Sequence, residues 1–324
     1  MSRMNILITG AGGFIGQALA TALAAEGKAN SLILTDVVEP AAPHSAQLTI
    51  RCVQGDLTSQ KLCDSLLTRD LTHVFLLHGI MSGAAEANLE LGIKVNMDAT
   101  RTVLDTLRTV NPGVRVIFTS TTAVYGPPPS PGFSLTEANA PCPGSSYGAQ
   151  KLISETLLND YSRRGLLDGR IVRLPTVLVR PGKPTGAASS FASSIFREPL
   201  NGQKSTLPVS KDLSLWICSP RTIVKNLLHA RDLPTEAYQG GSRVVNLPGV
   251  TVSIHEMLEA LKAIGGQEAF DLVKEQRDAP TEKIVESWPA KYDTLKAKEL
   301  GFTEDGTLEQ TLKDYVEDYG TNKL

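Results

Sequence analysis

The chain has 324 residues, of which 41% are hydrophobic and 20% charged, and its formal net charge is −2. These proportions allow a large apolar core, and they exclude both a disordered chain and a generally basic surface for nucleic acid. No apolar run reaches the ~20 residues of a membrane span, the N-terminus lacks a signal-peptide pattern, and the four cysteines lack the spacing of a disulfide framework or a thiolate metal site. We therefore expect a cytoplasmic protein with no metal and with neither nucleic acid nor membrane as a partner.

The first half of the chain alternates short apolar runs with longer amphipathic ones. Runs rich in Val, Ile, Leu and Phe predict strands at residues 5–9, 31–36, 49–54, 73–77, 115–120 and 170–174. The segments between them predict helices at residues 13–26, 60–67, 84–110 and 147–163. Apolar strands that alternate with helices are typical of a parallel sheet covered on both faces. We therefore expect an α/β fold with a doubly wound parallel sheet.

The pattern loosens after about residue 180, where Pro, Gly and Ser become frequent. Two helix starts are still clear, because Ser253 precedes Glu256 and Thr307 precedes Gln310 by the three residues of a capping box. We predict that residues 181–324 form a smaller mixed α/β lobe on the end of the sheet that residues 1–180 build. The boundary is approximate and allows the chain to cross back.

A glycine-rich turn joins the first predicted strand to the first predicted helix. Gly10, Gly13 and Gly16 give the spacing G-x-x-G-x-x-G, which suits a tight turn, a close approach of a pyrophosphate and close packing of helix on strand. Asp36 ends the second strand, where a carboxylate holds the ribose hydroxyls of NAD, and no Arg follows it to hold the 2′-phosphate of NADP. The pair Asp56–Leu57 follows the third strand, where it either meets the adenine or caps a helix. A tight turn with no ligand is the alternative interpretation of the glycines.

A tyrosine and a lysine are spaced to share one face of a predicted helix. Tyr147 and Lys151 stand at positions i and i+4, and an ammonium near a phenol favours the phenolate. Such a pair suits proton transfer to or from a substrate hydroxyl. The hydroxyl cluster Ser120–Thr122 ends the fifth predicted strand, at the edge of the sheet where ligands bind. One of these hydroxyls is a candidate hydrogen-bond partner for the reacting oxygen.

These motifs, in this order, resemble those of the extended short-chain dehydrogenase/reductases from about residue 4 to residue 180. The resemblance implies a Rossmann-type NAD-binding domain at residues 1–180, a substrate-binding lobe at residues 181–324 and homodimerisation through the helices that carry Asn96 and Tyr147. It also implies that Thr121 is the catalytic hydroxyl, Tyr147 the general acid/base and Lys151 its partner, with Asn96 as a fourth catalytic residue. The cofactor contacts that it implies are Gly10, Gly13, Phe14, Ile15, Gly16, Asp36, Asp56, Leu57, Leu77, Asn96, Thr119, Tyr147, Lys151, Pro175 and Val177.

Several departures separate the chain from the nucleotide-sugar epimerases and dehydratases that populate this family. Thr176 stands where those enzymes often carry an Asn, Leu215–Val224 lacks their acidic pair, and aromatic residues make up only 5% of the chain. The runs H-G-I-M-S-G, S-T-T-A-V-Y-G, P-T-V-L-V-R-P-G-K-P and S-P-R-T together resemble the D-erythronate dehydrogenase group. This resemblance implies NAD-dependent oxidation of the C2 hydroxyl of a small sugar acid to the 2-keto acid. A nucleotide-sugar epimerase or dehydratase that retains NAD, and a non-enzymatic NAD sensor, are the alternatives.

A sugar-acid carboxylate needs a cation or several donors once it is buried. The candidate cations are Arg180, Lys183 and Arg221, and each has the alternative of being a solvated surface charge. Ser82 and Thr185 are candidate hydroxyl donors, and Thr121 and Tyr147 are expected to contact the same substrate. His78, which ends the fourth predicted strand, is either a donor behind the site or a buried structural histidine.

Overall fold

The computed structural model describes residues 4–130, 132–184, 186–238 and 241–320. In this part of the chain seven parallel strands form one sheet, in the order β10-β6-β5-β4-β1-β2-β3. The strands, in chain order, are β1 (Met4–Thr9), β2 (Ala29–Asp36), β3 (Thr49–Gln54), β4 (His73–Leu76), β5 (Arg115–Thr121), β6 (Asp168–Leu174), β7 (Thr176–Val177), β8 (Ser205–Leu207), β9 (Ser214–Cys218), β10 (Val244–Asn246), β11 (Val250–Ser253) and β12 (Val273–Glu275). The predicted doubly wound parallel sheet is confirmed.

Helices cover both faces of this sheet. In chain order they are α1 (Phe14–Glu26), α2 (Gln60–Leu66), α3 (Ser82–Ala87), α4 (Leu89–Gly92), α5 (Thr100–Val110), α6 (Ser146–Arg163), α7 (Ser190–Leu200), α8 (Pro220–Asp232), α9 (Ile254–Asp271), α10 (Ala279–Glu286), α11 (Leu295–Glu299) and α12 (Leu308–Tyr319). One apolar core lies between the sheet and the pair α1 and α8, and a second lies between the sheet and α2, α5 and α6. Within the described ranges, none of these helices is long and apolar enough to cross a membrane.

The helix predicted at residues 84–110 is wrong as a single element. Asn88 has extended backbone angles (φ −141°, ψ 91°) that end α3, and its side chain accepts a hydrogen bond from Leu91 N to start α4. The chain then forms one stretch of π-helix at Ile93–Ala99 before α5 begins. Asn and Gly fit poorly inside a helix, and a π-helical stretch changes which side chains face the core. The result is that Asn96 is fully buried, between the sheet edge and α6.

The C-terminal part of the chain adds two small sheets and a third apolar core. Strands β7, β9 and β11 form one small sheet, and β8 and β12 form the other. Their core is formed with α7, α9, α10 and α12. The capping box at Ser253 and Glu256 is present with both hydrogen bonds, and Thr307 accepts from Gln310 N. Strand β10, which lies beyond residue 180, joins the central sheet beside β6. The assignment of cofactor binding to residues 1–180 and of substrate binding to residues 181–324 stays a prediction.

Candidate active site

A cleft of about 750 Å³ opens at the carboxyl ends of β1, β4 and β5. This is the edge of an open parallel sheet at which ligands bind, and the volume is within the range of cofactor and small-molecule sites. The predicted site residues that line it are Gly10, Gly13, Phe14, Ile15, Gly16, Asp36, Asp56, Leu57, Leu77, Ser82, Thr119, Thr121, Tyr147, Lys151, Pro175, Val177 and Arg180. All of these residues lie within residues 1–180, while Asn96, Lys183 and Arg221 lie outside the cleft lining.

The glycine turn at one end of the cleft fits a dinucleotide pyrophosphate. Gly10 has a φ of +67°, and a Cβ there would lie 2.7 Å from His78 N, so only glycine is accommodated. A Cβ on Gly16 would overlap the Gly10 carbonyl oxygen, which explains the close contact of α1 with β1. Gly13 precedes α1 with no side chain of its own, so the backbone amides of the first helical turn face the cleft, as an anion site requires.

Two carboxylates stand beside this turn. Asp36 accepts from Gly12 N at 2.9 Å and from Val37 N at 2.7 Å, which fixes the carboxylate at the rim of the cleft. Asp56 accepts from Thr58 N at 2.9 Å, and this hydrogen bond lowers the pKa of Asp56. The helix after it is capped by Ser59 instead, so the alternative that Asp56 is the cap of α2 is wrong.

Tyr147 and Lys151 project from the first turns of α6 into the cleft. The helix begins at the Ser145 cap, which accepts from Gly148 N at 3.2 Å. Lys151 Nζ donates to the carbonyl oxygen of Thr119 at 3.1 Å and lies 5.9 Å from the centroid of the Tyr147 ring. Burial lowers the pKa of Lys151 to about 8 and raises that of Tyr147 to about 12, and the charge of Arg180 opposes the rise at Tyr147.

Thr121 presents its hydroxyl at the end of β5. Its Oγ1 accepts from Ala123 N at 3.1 Å, which starts a short 3₁₀-helix at Thr122–Val124. Because that bond uses a lone pair, the Thr121 proton stays available to a ligand oxygen. Thr121 and Tyr147 line the same cleft, so the geometry fits a hydroxyl and a phenol acting on one substrate atom.

Arg180 lines the same cleft, three residues after the end of β7. Its guanidinium donates to the Val177 carbonyl oxygen at 3.1 Å and to Ser189 Oγ, and its own carbonyl accepts from Arg197 at 2.9 Å. Burial, with the nearby charge of Arg197, lowers the pKa of Arg180 to about 10. The guanidinium is therefore still charged at neutral pH, held rigidly, and close enough to Tyr147 to change its pKa.

The other candidate cations are elsewhere. Arg221 begins α8 and forms ion pairs with Asp314, Glu317 and Asp318 on α12 at 2.6–3.0 Å, so its prediction as a substrate contact is corrected. Lys183 is exposed and does not line the cleft, which corrects the same prediction for it. Ser82 is buried in the lining, and its Oγ accepts from Ala188 N at 3.1 Å. Thr185 lies outside the described residues.

Asn96 supports the cleft from behind. Its Oδ1 accepts from Ile80 N at 2.9 Å, and its Nδ2 donates to Ile80 O at 3.3 Å and to Gln150 Oε1 at 2.8 Å. The amide is thus used by protein groups, and the geometry makes Asn96 a residue that positions the loop after β4.

Among the lining residues that sequence reasoning did not predict, three have side chains suited to a role in the site. Ser189 orients Arg180, and the indoles of Trp216 and Trp288 form part of the cleft wall. They are the two tryptophans of the chain, and both lie in the predicted substrate-binding lobe beyond residue 180. That position is the feature of the sequence that could have indicated them as cleft residues. Because both face the cleft, the low aromatic content no longer speaks against a site for a nucleotide base.

Comparison with known proteins finds relatives that match nearly the whole chain. The chain is 44% identical to a D-erythronate dehydrogenase of Cupriavidus necator, over 99% of this chain and all of that protein. It is 40% identical to a D-erythronate dehydrogenase of Haemophilus influenzae, over 97% of this chain and 99% of that protein. A solved nucleoside-diphosphate-sugar epimerase from Agrobacterium tumefaciens has a TM-score of 0.89 at 35% identity, covering 98% of this chain and 95% of that one.

A family profile matches the part of the chain that holds the central sheet and the cleft. The profile describes the NAD dependent epimerase/dehydratase family, and it covers residues 6–234. The match includes the glycine turn, Thr121, Tyr147, Lys151 and Arg180. It confirms the predicted Rossmann-type fold, NAD as cofactor and an NAD-dependent oxidoreductase among the extended short-chain dehydrogenases. The chain belongs to the NAD dependent epimerase/dehydratase family.

Proposed function

We propose that this protein oxidises the C2 hydroxyl of a small sugar acid, such as D-erythronate, to the 2-keto acid. The single observation that carries the proposal is the arrangement of Arg180 beside Tyr147 in the cleft. In a 2-hydroxy acid the carboxylate and the C2 hydroxyl are on neighbouring carbons, so a cation for the first must lie next to the base for the second. The two D-erythronate dehydrogenases that match nearly the whole chain support the same substrate class.

The glycine turn and Asp36 would hold NAD, which supplies the acceptor for the hydride that leaves C2. Tyr147 takes the C2 hydroxyl proton as the carbonyl forms, and Thr121 donates a hydrogen bond to the same oxygen. Tyr147 must lose its own proton first, and its high pKa means that nearby cations are needed. Lys151 and Arg180 are those cations. Arg180 also pairs with the carboxylate and so fixes which hydroxyl faces Tyr147.

The test is oxidation of D-erythronate that carries deuterium at C2, followed as NADH formation and by mass spectrometry of the reduced cofactor. Transfer of the label to NADH supports oxidation at C2, since only the hydrogen on the oxidised carbon leaves as hydride. Transfer from substrate labelled at C3 would show that another hydroxyl is oxidised. The matched control is 3,4-dihydroxybutanoate, which lacks the C2 hydroxyl and is expected to give no NADH.

A second candidate function is nucleotide-sugar epimerisation, favoured by the two tryptophans in the cleft wall and by the name of the Agrobacterium protein. An epimerase returns the hydride, so it converts UDP-sugars with no net formation of NADH. Conversion of a UDP-sugar without turnover of D-erythronate would replace the first proposal by this one.

We also propose that the protein is a homodimer. Leu89 on α4 and Ile153 on α6 are 53% and 51% exposed, and α4 packs against α6. Large apolar side chains exposed together on packed helices mark an interaction surface. A second copy of the chain is the occupant that the family resemblance implies.

A further inference from the structure

His78 is clamped between two threonines at the edge of the cleft. It follows β4 by two residues, and its Nδ1 lies 2.8 Å from Thr9 Oγ1 at the end of β1. Its Nε2 lies 3.2 Å from Thr100 Oγ1 at the start of α5. The ring thus joins two elements that are far apart in sequence, and both ring nitrogens are used.

The hydrogen-bond network assigns the tautomer of this ring. Thr100 has one hydroxyl proton and donates it to the Asn96 carbonyl oxygen at 2.9 Å. The His78 Nε2 therefore carries the ring proton and donates it to Thr100 Oγ1. Nδ1 of that neutral ring can only accept, so the Thr9 proton goes to Nδ1 at 2.8 Å rather than to the Phe75 carbonyl oxygen at 3.3 Å. Burial and the charge of Lys151 lower the pKa of His78 to about 3, so the ring stays neutral and the network stays directional.

The network ends on the residue that shapes the loop after β4. The carbonyl oxygen of Asn96 accepts from both Thr100 and Ser154, at 2.9 and 3.1 Å, and its side chain holds Ile80 N and O. Ile80 lies between Gly79 and Ser82. A Cβ on Gly79 would lie 2.8 Å from Asn96 Oδ1 and 3.5 Å from Lys151 Nζ, so this loop touches the lysine of the site closely.

We propose that His78 is a positioning residue, which acts through Thr100 and Asn96 to hold the Gly79–Ser82 loop against Lys151 and to place Ser82 at the substrate end of the cleft. The inference rests on the proposed function for the identity of the substrate. It predicts an asymmetry, because the hydrogen bond from Nε2 to Thr100 leads to Asn96, whereas the one from Thr9 to Nδ1 leads back to β1.

Two amide variants separate these hydrogen bonds. In His78→Gln the side-chain amide reaches the position of Nε2 and can still donate to Thr100. In His78→Asn it reaches only the position of Nδ1 and can still accept from Thr9. We expect the Asn variant to lose about tenfold in kcat/KM for D-erythronate, the equivalent of one buried hydrogen bond, and the Gln variant to stay within about threefold of the wild type.

The Kd for NAD, measured by calorimetry, should be unchanged in the Asn variant, because that variant keeps the hydrogen bond to Thr9, the residue that precedes the glycine turn. Equal losses in the two variants, or a Kd for NAD that rises as much as kcat/KM falls, would overturn the proposal, since a merely structural role affects both variants alike. If His78→Asn fails to fold, Thr100→Val against Thr100→Ser tests the same hydrogen bond from its other end.

A measurement without substrate keeps this proposal separate from the proposed function. In protein labelled with ¹⁵N-histidine, NMR of the wild type should show His78 as the neutral tautomer protonated at Nε2 across neutral pH. A ring protonated at Nδ1, or charged, would refute the network even if D-erythronate is oxidised. A wild type that shows this tautomer but does not oxidise D-erythronate would refute only the substrate.

Discussion

At the scale of single residues, the proposed reaction depends on the phenol of Tyr147, whose pKa burial raises to about 12. Tyr147→Phe keeps the ring and its packing and removes only the transferable proton. We expect kcat to fall by at least ~10²-fold, the usual contribution of general acid–base catalysis. The Kd for NAD should stay close to that of the wild type. Steady-state kinetics and calorimetry measure the two quantities, and near-normal kcat in the variant would identify another group as the base.

In the proposed reaction, Arg180 is the residue that would distinguish a sugar-acid site from a neutral-alcohol site. Its planar guanidinium can hold a carboxylate by two hydrogen bonds, whereas a lysine acts as a point charge. Arg180→Lys should raise KM for D-erythronate, and Arg180→Ala should lose ~2–5 kcal/mol of transition-state stabilisation in kcat/KM. The matched variant is Arg221→Ala, which removes an arginine already paired with α12. Equal kinetics for the two alanine variants would make Arg180 a structural charge.

The position of a residue can be predicted from the sequence when it depends on neighbours a few residues away, and not when it depends on distant elements. Tyr147 and Lys151 are one helical turn apart, so their shared face follows from helical geometry alone. Arg221 was misplaced because its role depends on α12, a helix nearly a hundred residues later whose carboxylates the spacing around Arg221 cannot reveal. Trp216 and Trp288 were missed for the same reason, since only the packing of the C-terminal part brings them to the cleft.

At the scale of elements, strands were predicted better than the helix that carries Asn96. The β3 bounds match the prediction, and the other predicted strands differ by no more than two residues at an end, because continuous apolar runs bounded by turns depend little on context. The segment at residues 84–110 keeps helical periodicity throughout, yet it folds as three α-helices and one π-helical stretch. The spacing of apolar residues does not reveal a π-helix, because the position of the extra residue per turn is determined by packing against α6 and not by the local pattern.

The exposed apolar side chains of α4 and α6 give a test of assembly at the same scale. Ile153→Glu places a carboxylate in the proposed dimer interface, where burial without a partner is costly. We expect its dimerisation Kd to rise by about a hundredfold or more, which light scattering after size exclusion detects as a shift to monomer. Leu295→Glu on α11, where the side chain is 58% exposed, is the control that should stay dimeric. A dimeric Ile153→Glu protein would place the interface elsewhere.

At the scale of the whole molecule, two partly buried histidines at opposite edges of the sheet are expected to make stability depend on pH. Burial lowers the pKa of His73 to about 4; the charges of Arg115 and Arg231 lower it further and the charge of Asp232 opposes them. Burial and the charge of Lys151 lower the pKa of His78 to about 3, and the charge of Asp56 opposes them. Because both values lie below that of an unfolded histidine, the unfolded chain binds more protons as the pH falls. Folding stability is therefore present in full above about pH 6.5 and decreases towards pH 3–4.

Urea unfolding of the holoenzyme between pH 7 and pH 5 measures this dependence. Each histidine should contribute at most about 2 kcal/mol of lost unfolding free energy over that window, at ~1.4 kcal/mol for each unit of pKa difference. His73→Gln removes the histidine at the edge of the sheet away from the cleft. This variant should therefore lose less unfolding free energy between pH 7 and pH 5 than the wild type does, and its kcat should be unchanged. The effect belongs to the whole fold, because His73 is partly buried at the amino ends of β4 and β5, near the charges of Arg231 and Asp232 on α8. Equal losses of unfolding free energy in the variant and the wild type would mean that the pKa of His73 is the same in the folded and unfolded states. The acid sensitivity would then have another source.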